Sequence, residues 1–255
     1  MLRIAQLNDT HEGLTKRKVI RRLLLKLKQE QFDILLHCGD YSGGRNGCKL
    51  VKSTVGLIRD IFPEVPFVSV IGNHDYWSMA KLRRNSYTSP ELFYQNYANI
   101  LQTFADNNVW FLDTQGPYRH GDYVIVGHSG WYSNSKIIKW SNDFGFLPIG
   151  LDGDTQHYML KKAMDGLYKN LDALTDEDTK RTLVFASHFP VIKTNEYDLG
   201  FDRFSWSASL GENLHSQYGI NYFFNGHAHQ YHNGPLRYET GTDYYNPKYQ
   251  IVEIG

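Results

Sequence analysis

Apolar residues fall into short runs along this chain. RIAQL (3–7), DILLH (33–37), FVSVI (67–71), VWFL (109–112), YVIVG (123–127), TLVFA (182–186), INYFF (220–224) and YQIVEI (249–254) each read as a strand. Between the early runs the period changes. In 14–30 the apolar positions Val19, Ile20, Leu23, Leu24 and Leu27 follow a helical spacing. Residues 49–61 and 90–106 read the same way, the latter with Ser89–Pro90 as a helix start. Strand–helix–strand alternation predicts an α/β fold with parallel strands and right-handed crossovers. No helical pattern separates the later strands, so antiparallel pairing is the expectation there. Residues 129–158, rich in Gly, Asn, Asp and aromatics, read as an inserted loop or cap within one domain spanning 1–255.

Composition narrows the class. A chain of 255 residues can bury a sizeable core without cross-links. The two cysteines, Cys38 and Cys48, lack CxxC spacing, which excludes a cysteine zinc cluster and favours a reducing compartment. The 27 basic and 27 acidic residues cancel, so net charge singles out no partner. The apolar start MLRIAQLND is too short for a signal peptide, and no run approaches membrane-spanning length. The expectation is a soluble cytoplasmic protein with no membrane partner. Aromatics make up 15% of the chain, which fits a Tyr-rich core and surface or an aromatic-lined cleft.

The candidate chemistry lies just after the strands. Asn8-Asp9-Thr10-His11 follows the first run, Gly39-Asp40 the second and Gly72-Asn73-His74-Asp75 the third. Ser187-His188 follows TLVFA, and Gly226-His227-Ala228-His229 follows INYFF. In open α/β sheets, strand ends share one edge where ligands bind, and glycine lets the backbone approach an ion closely. Asp9, His11, Asp40, Asn73, His188, His227 and His229 are thereby expected to converge. Two carboxylates, an amide and four imidazoles exceed one tetrahedral zinc site and fit two ions sharing a bridging carboxylate. The mixed N/O set suits manganese first, with iron, zinc or cobalt as alternatives, and argues against calcium. Two such ions can clamp both oxygens of an in-line displacement, which is phosphoryl chemistry.

The series D-x-H, GD, GNHD, H and GHxH, in this order from residue 9 to residue 229, resembles the calcineurin-like metallophosphoesterase superfamily. The resemblance implies a two-sheet β-sandwich flanked by helices in α-β-β-α layers. It also implies that Asp9, His11, Asp40 and His229 hold one ion, while Asp40, Asn73, His188 and His227 hold the other. His74 is then the histidine that acts on the leaving group. His227 and His229, alternating along an extended segment, would face the two different centres. His232 is left over and reads as a loop residue. His37, His120, His128, His157 and His215 read as structural or exposed.

Protein Ser/Thr phosphatases of the superfamily continue GD as GDxxDRG. Here Gly43 and Gly44 stand where that Asp and Arg would be, which points to the phosphodiesterase-type branch and leaves open what orients His74. The neighbouring Asp75 reads equally well as a turn carboxylate. The expected activity is hydrolysis of phosphate esters, diesters first, with a phosphomonoesterase or nuclease as alternatives. A metal-binding scaffold is the alternative of a different class. Nucleic acid or a nucleotide is a candidate partner, because residues 13–29 contain seven Lys or Arg and no acid. A solvated helix face accounts for the same residues. The aromatic-rich segments 131–146 and 195–206 read either as surfaces that stack a base or sugar, or as a packed cap.

Overall fold

The computed structural model describes residues 1–43, 46–76, 90–131, 153–192, 206, 208–229, 232–233, 237–239 and 246–255. The expected α/β sandwich is present. One sheet has the order β11–β1–β2–β3–β4, built from β1 (Leu2–Leu7), β2 (Ile34–Cys38), β3 (Phe67–Val70), β4 (Val109–Phe111) and β11 (Tyr249–Ile254). The other has the order β5–β6–β7–β8–β10–β9, from β5 (Tyr118–His120), β6 (Tyr123–Gly127), β7 (Thr182–Ala186), β8 (Tyr222–Phe224), β9 (His232–Asn233) and β10 (Arg237–Glu239). Strands β1 to β4 are parallel, with β11 antiparallel at one edge.

Period-two alternation explains the layering. Leu2, Ile4, Ile34, Leu36, Val68 and Val70 of the first sheet share a buried cluster with Ile125, Val184, Ala186 and Phe224 of the second. This is the layer between the sheets. Their sequence neighbours, such as Ala5, Leu7, Leu35, Val124, Val126, Leu183, Phe185 and Phe223, join the helices in another cluster. Helices α1 (Arg17–Leu27), α2 (Gly47–Ile61) and α3 (Pro90–Asp106) connect the strands of the first sheet. A one-turn helix α4 (Leu112–Gln115) follows β4. Among the described residues no helix is long and apolar enough to cross a membrane.

The later half departs from the sequence expectation. Strands β6, β7 and β8 pair in parallel, not antiparallel, and helices join them: α5 (Gly153–Asp172) and α6 (Ala208–Tyr218). Both helices escape periodicity because their buried stripes are narrow: Ala163, Leu167 and Leu171 in one, Leu210 and Leu214 in the other. Each also holds a glycine where a neighbour comes close. A Cβ at Gly211 would lie 2.0 Å from Val191 O, and one at Gly166 would lie 2.5 Å from His128 Nε2. The segment read as a loop or cap, 129–158, is therefore corrected at its end, where 153–158 open α5; residues 132–152 lie outside the described residues. Within the aromatic segment 195–206, only buried Trp206 is described. His232 is likewise not a loop residue, since it belongs to β9 opposite Glu239.

Candidate metal centre

Loops from the C-terminal ends of β1, β2, β3, β7 and β8 meet at one edge of the sandwich, so both sheets contribute. Backbone bonds zip them together: Asp9 N–H to Gly39 O (3.0 Å), His11 N–H to Asp40 O (3.0 Å) and Gly226 N–H to His188 O (3.1 Å). Among the described residues six non-glycines have positive φ, and five are candidate ligands: Asp9 (49°), His11 (46°), Asp40 (56°), His227 (70°) and His229 (55°). The left-handed region is uncommon for residues with a Cβ and gathers where function requires it. Here it turns each side chain inward immediately after its strand. It also corrects the reading of 227–229: this segment is turned, not extended, and the turns aim the two rings apart. Gly72 is required by close approach, because a Cβ there would lie 2.0 Å from Asp40 Oδ1.

All eight residues singled out in the sequence come together. His229 Nε2 is 3.6 Å and His11 Nε2 is 3.9 Å from Asp9 Oδ1, and the two ring nitrogens are 3.1 Å apart. On the other side His188 Nε2 lies 3.0 Å from Asn73 Oδ1, 3.1 Å from His227 Nδ1 and 3.5 Å from Asp40 Oδ1. Asp40 stands between the sets, its Oδ2 being 3.8 Å from His11 Nε2. Asp9–His11–His229 and Asp40–His188–His227 are each compact enough to hold one ion. His74 sits beside them, with Nε2 3.9 Å from Asp40 Oδ2 and its own backbone N–H donating to Asp40 Oδ1 at 3.0 Å.

The donor chemistry fits cations. His11 Nδ1 lies 3.2 Å from Ser42 O, and His188 Nδ1 lies 2.8 Å from Cys38 O. A carbonyl only accepts, so both rings carry their proton on Nδ1 and present a lone pair at Nε2. Those lone pairs converge with carboxylate and amide oxygens and other imidazoles, a donor set that suits a divalent cation. Burial pushes the His11 and His188 rings down to about 4, and those of His74 and His227 well below the ordinary value. Neutral imidazole is the ligating form. Burial opposes ionisation of Asp9, but neighbouring His229, His188 and His11 outweigh it and hold the carboxyl well below its usual range.

Several buried carboxylates brace these loops without being ligands. Asp75 does not face the His74 ring. Its oxygens accept the backbone N–H groups of Gly72 (2.8 Å), Asp40 (3.0 Å) and Ser42 (2.9 Å), clasping the second ligand loop to the third. Burial nevertheless pushes its carboxyl up to about 7. Asp113 accepts Ser129 N–H at 2.8 Å; Ser129 in turn accepts Ile71 N–H at Oγ (3.0 Å) and His188 N–H at its carbonyl (3.2 Å). Glu12 accepts Ser53 and Thr54 hydroxyls of α2 at 2.8 and 2.7 Å. Arg237 and Glu239, paired at 2.9 Å and fully buried, both bind the Asn225 side chain just before Gly226. Sequence reasoning missed all but Asp75, because nothing local marks a carboxylate whose partners are distant backbone groups. Of the histidines read as structural, His37 is buried and stacks on Tyr41, and His215 bonds Ile220 O at 2.9 Å. Both cysteines are free.

Fold and site together define an α/β sandwich protein with overlapping metal-competent ligand groups at its strand ends, among them Asp9–His11–His229, His11–Asp40–His74 and Asp40–His188–His227. The chain belongs to the calcineurin-like phosphoesterase family, whose model matches residues 2–231. Its fold is similar to that of the protein TT1561 of Thermus thermophilus (TM-score 0.50, 10% identity, covering 88% of this chain and 80% of that one). A dimetal phosphatase from Danio rerio also matches (TM-score 0.48, 12% identity, 93% of this chain and 86% of that one). Comparison with curated proteins finds no match.

Proposed function

We propose that this protein hydrolyses phosphodiesters at a pair of divalent ions, manganese first among them. Asp9, His11 and His229 would hold one ion, and Asn73, His188 and His227 the other, with Asp40 shared. The observation that carries this is the placement of Asp40, whose Oδ1 faces His188 while its Oδ2 faces His11. Two such ions, when bound, supply Lewis-acid charge and an activated water for in-line attack at phosphorus. The protein fixes where that happens. Carbonyls of Ser42 and Cys38 hold the His11 and His188 rings in the ligating tautomer. We assign His74, tethered through its backbone to Asp40, the role of donating a proton or hydrogen bond to the leaving oxygen.

Two observations support a diester rather than a protein phosphomonoester. The phosphatase-type Asp and Arg are replaced by Gly43 and Gly44. Position 43 also has no room for a side chain, since a Cβ there would lie 2.8 Å from His11 Cβ and 2.9 Å from Leu14 Cγ. The test is a manganese-loaded assay of bis-p-nitrophenyl phosphate against p-nitrophenyl phosphate, with metal content measured beforehand. The expected result is about two ions per chain and a higher kcat/KM for the diester. Full activity after exhaustive chelation would refute the metal reading, and preference for the monoester would refute the diester.

A further inference from the structure

Helix α1 carries a charge pattern that the fold does not explain. Residues 13–29 hold seven cations and no acid, so the rest of a formally neutral chain carries −7. Arg17 is used internally, bonding Ser53 O at 2.9 Å and Glu12 at 3.3 Å. The others are exposed. Lys18, Arg22 and Lys26 form one i, i+4 row; Arg21 and Lys28, seven apart, form a second beside it. The first row lies opposite Ile20, Leu24 and Leu27, which are fully buried, and the second flanks them. Like charges four apart repel, and cations at the start of a helix oppose its dipole. The first turn has no acidic residue, and Lys16 at the N-cap makes no side-chain cap bond. Folding alone would therefore disfavour this face.

Its position relates it to the metal centre. Leu14 N–H and Thr15 N–H both bond His11 O, at 3.1 and 2.8 Å, and α1 begins two residues after Thr15, so its start lies six residues from a candidate ligand. Eleven residues of helix extend about 16 Å from there, the axial length of about five base pairs. We propose that the exposed face of α1 binds the phosphate backbone of a nucleic acid and delivers it to the centre, an inference that rests on the diesterase reading. An anionic bilayer fits less well. The apolar stripe that would insert into it is already buried in the core, leaving Leu25 as the large apolar side chain on the outer face, 38% exposed.

The test pairs a binding and a catalytic readout on the manganese-loaded protein. A fluorescein-labelled phosphorothioate 20-mer, single-stranded and duplex, is titrated by anisotropy at 50 and 200 mM salt. Vesicles of phosphatidylserine and phosphatidylcholine are titrated in parallel. Three phosphate contacts predict about a 20-fold loss of single-strand affinity between the two salts. The triple variant K18E/R22E/K26E should lose at least about 20-fold in oligonucleotide affinity at 50 mM salt and keep wild-type turnover of bis-p-nitrophenyl phosphate. Equal oligonucleotide binding by variant and wild type would overturn the proposal, as would vesicle binding without oligonucleotide binding. If the wild type binds the oligonucleotide but does not turn over the small diester, the catalytic reading fails while the binding face stands.

Discussion

At the scale of single residues, Asp40 and His74 distinguish ligand roles most sharply. Asp40 presents one oxygen to each imidazole set, whereas His227 belongs to one. Asp40→Ala should therefore deplete both ions and His227→Ala chiefly one, read by metal analysis of the isolated variants. Matching losses in the two variants would remove the basis for a shared carboxylate. His74 is anchored by its backbone to Asp40, so its ring need not be a ligand even though it lies close to Asp40 and His11. His74→Ala is expected to keep both ions and to lose roughly 10²–10⁴-fold in kcat. The loss should be greatest for alkoxide leaving groups and smaller for nitrophenolate, which leaves without a proton. A uniform loss across leaving groups would assign the ring to positioning or charge stabilisation.

At the scale of elements, two glycines of the first sheet's connections predict opposite outcomes for one substitution. A Cβ at Gly56, within α2, would meet none of the described residues within 4 Å. Gly56→Ala should stabilise by about 0.5–1 kcal/mol through the lower entropy of the unfolded chain and better helix propensity. Gly72, between β3 and the ligand Asn73, has no such freedom, because its Cβ would collide with the Asp40 carboxylate. Gly72→Ala should displace that carboxylate and lower metal affinity at least about 10-fold. Urea melts of both variants and a metal titration of the second check this. An unaltered affinity in Gly72→Ala would mean that the loops after β2 and β3 adjust independently, despite the Asp75 clasp.

At the scale of the whole molecule, stability against acid involves the β5 edge of the second sheet. Arg119 on β5 pairs with buried Asp178 at 2.6 Å, and its guanidinium also reaches Ala173 O at 3.2 Å, tying the β5–β6 hairpin to the segment before β7. The hydrogen bond from Arg119 holds the Asp178 carboxyl well below its ordinary range. A depressed folded-state value means that the unfolded chain takes up the proton first. The contribution is therefore complete above the unfolded value, about pH 4, and is lost as pH falls through the folded value. Asp178→Asn should be less stable than wild type at neutral pH, with the gap narrowing as pH falls from about 4 to 2. Urea midpoints across that range give the comparison, and a constant gap would exclude this pair as a source of acid sensitivity.

The sequence by itself determined the candidate residues of the site and the strands that carry them. Apolar runs of four to six residues are long enough to show as strands, and Asp9, His11, Asp40, Asn73, His188, His227 and His229 each lie within five residues of the end of one. Strands β5, β9 and β10 are short and mostly polar, so no apolar run marks them, and the narrow stripes of α5 and α6 conceal those helices. Spacing along the chain does not say which ligand belongs to which set: the resemblance implied a grouping, and tertiary structure supplies the physical reason for it. Left-handed turns at His227 and His229 aim adjacent imidazoles at different partners, and such turns depend on what the surrounding loops can bond. It also decided the work of Asp75, Asp113, Glu12 and the Arg237–Glu239 pair. A buried carboxylate is stable only where donors converge on it, and here most of those donors are brought together from distant parts of the chain by the closing of the two sheets.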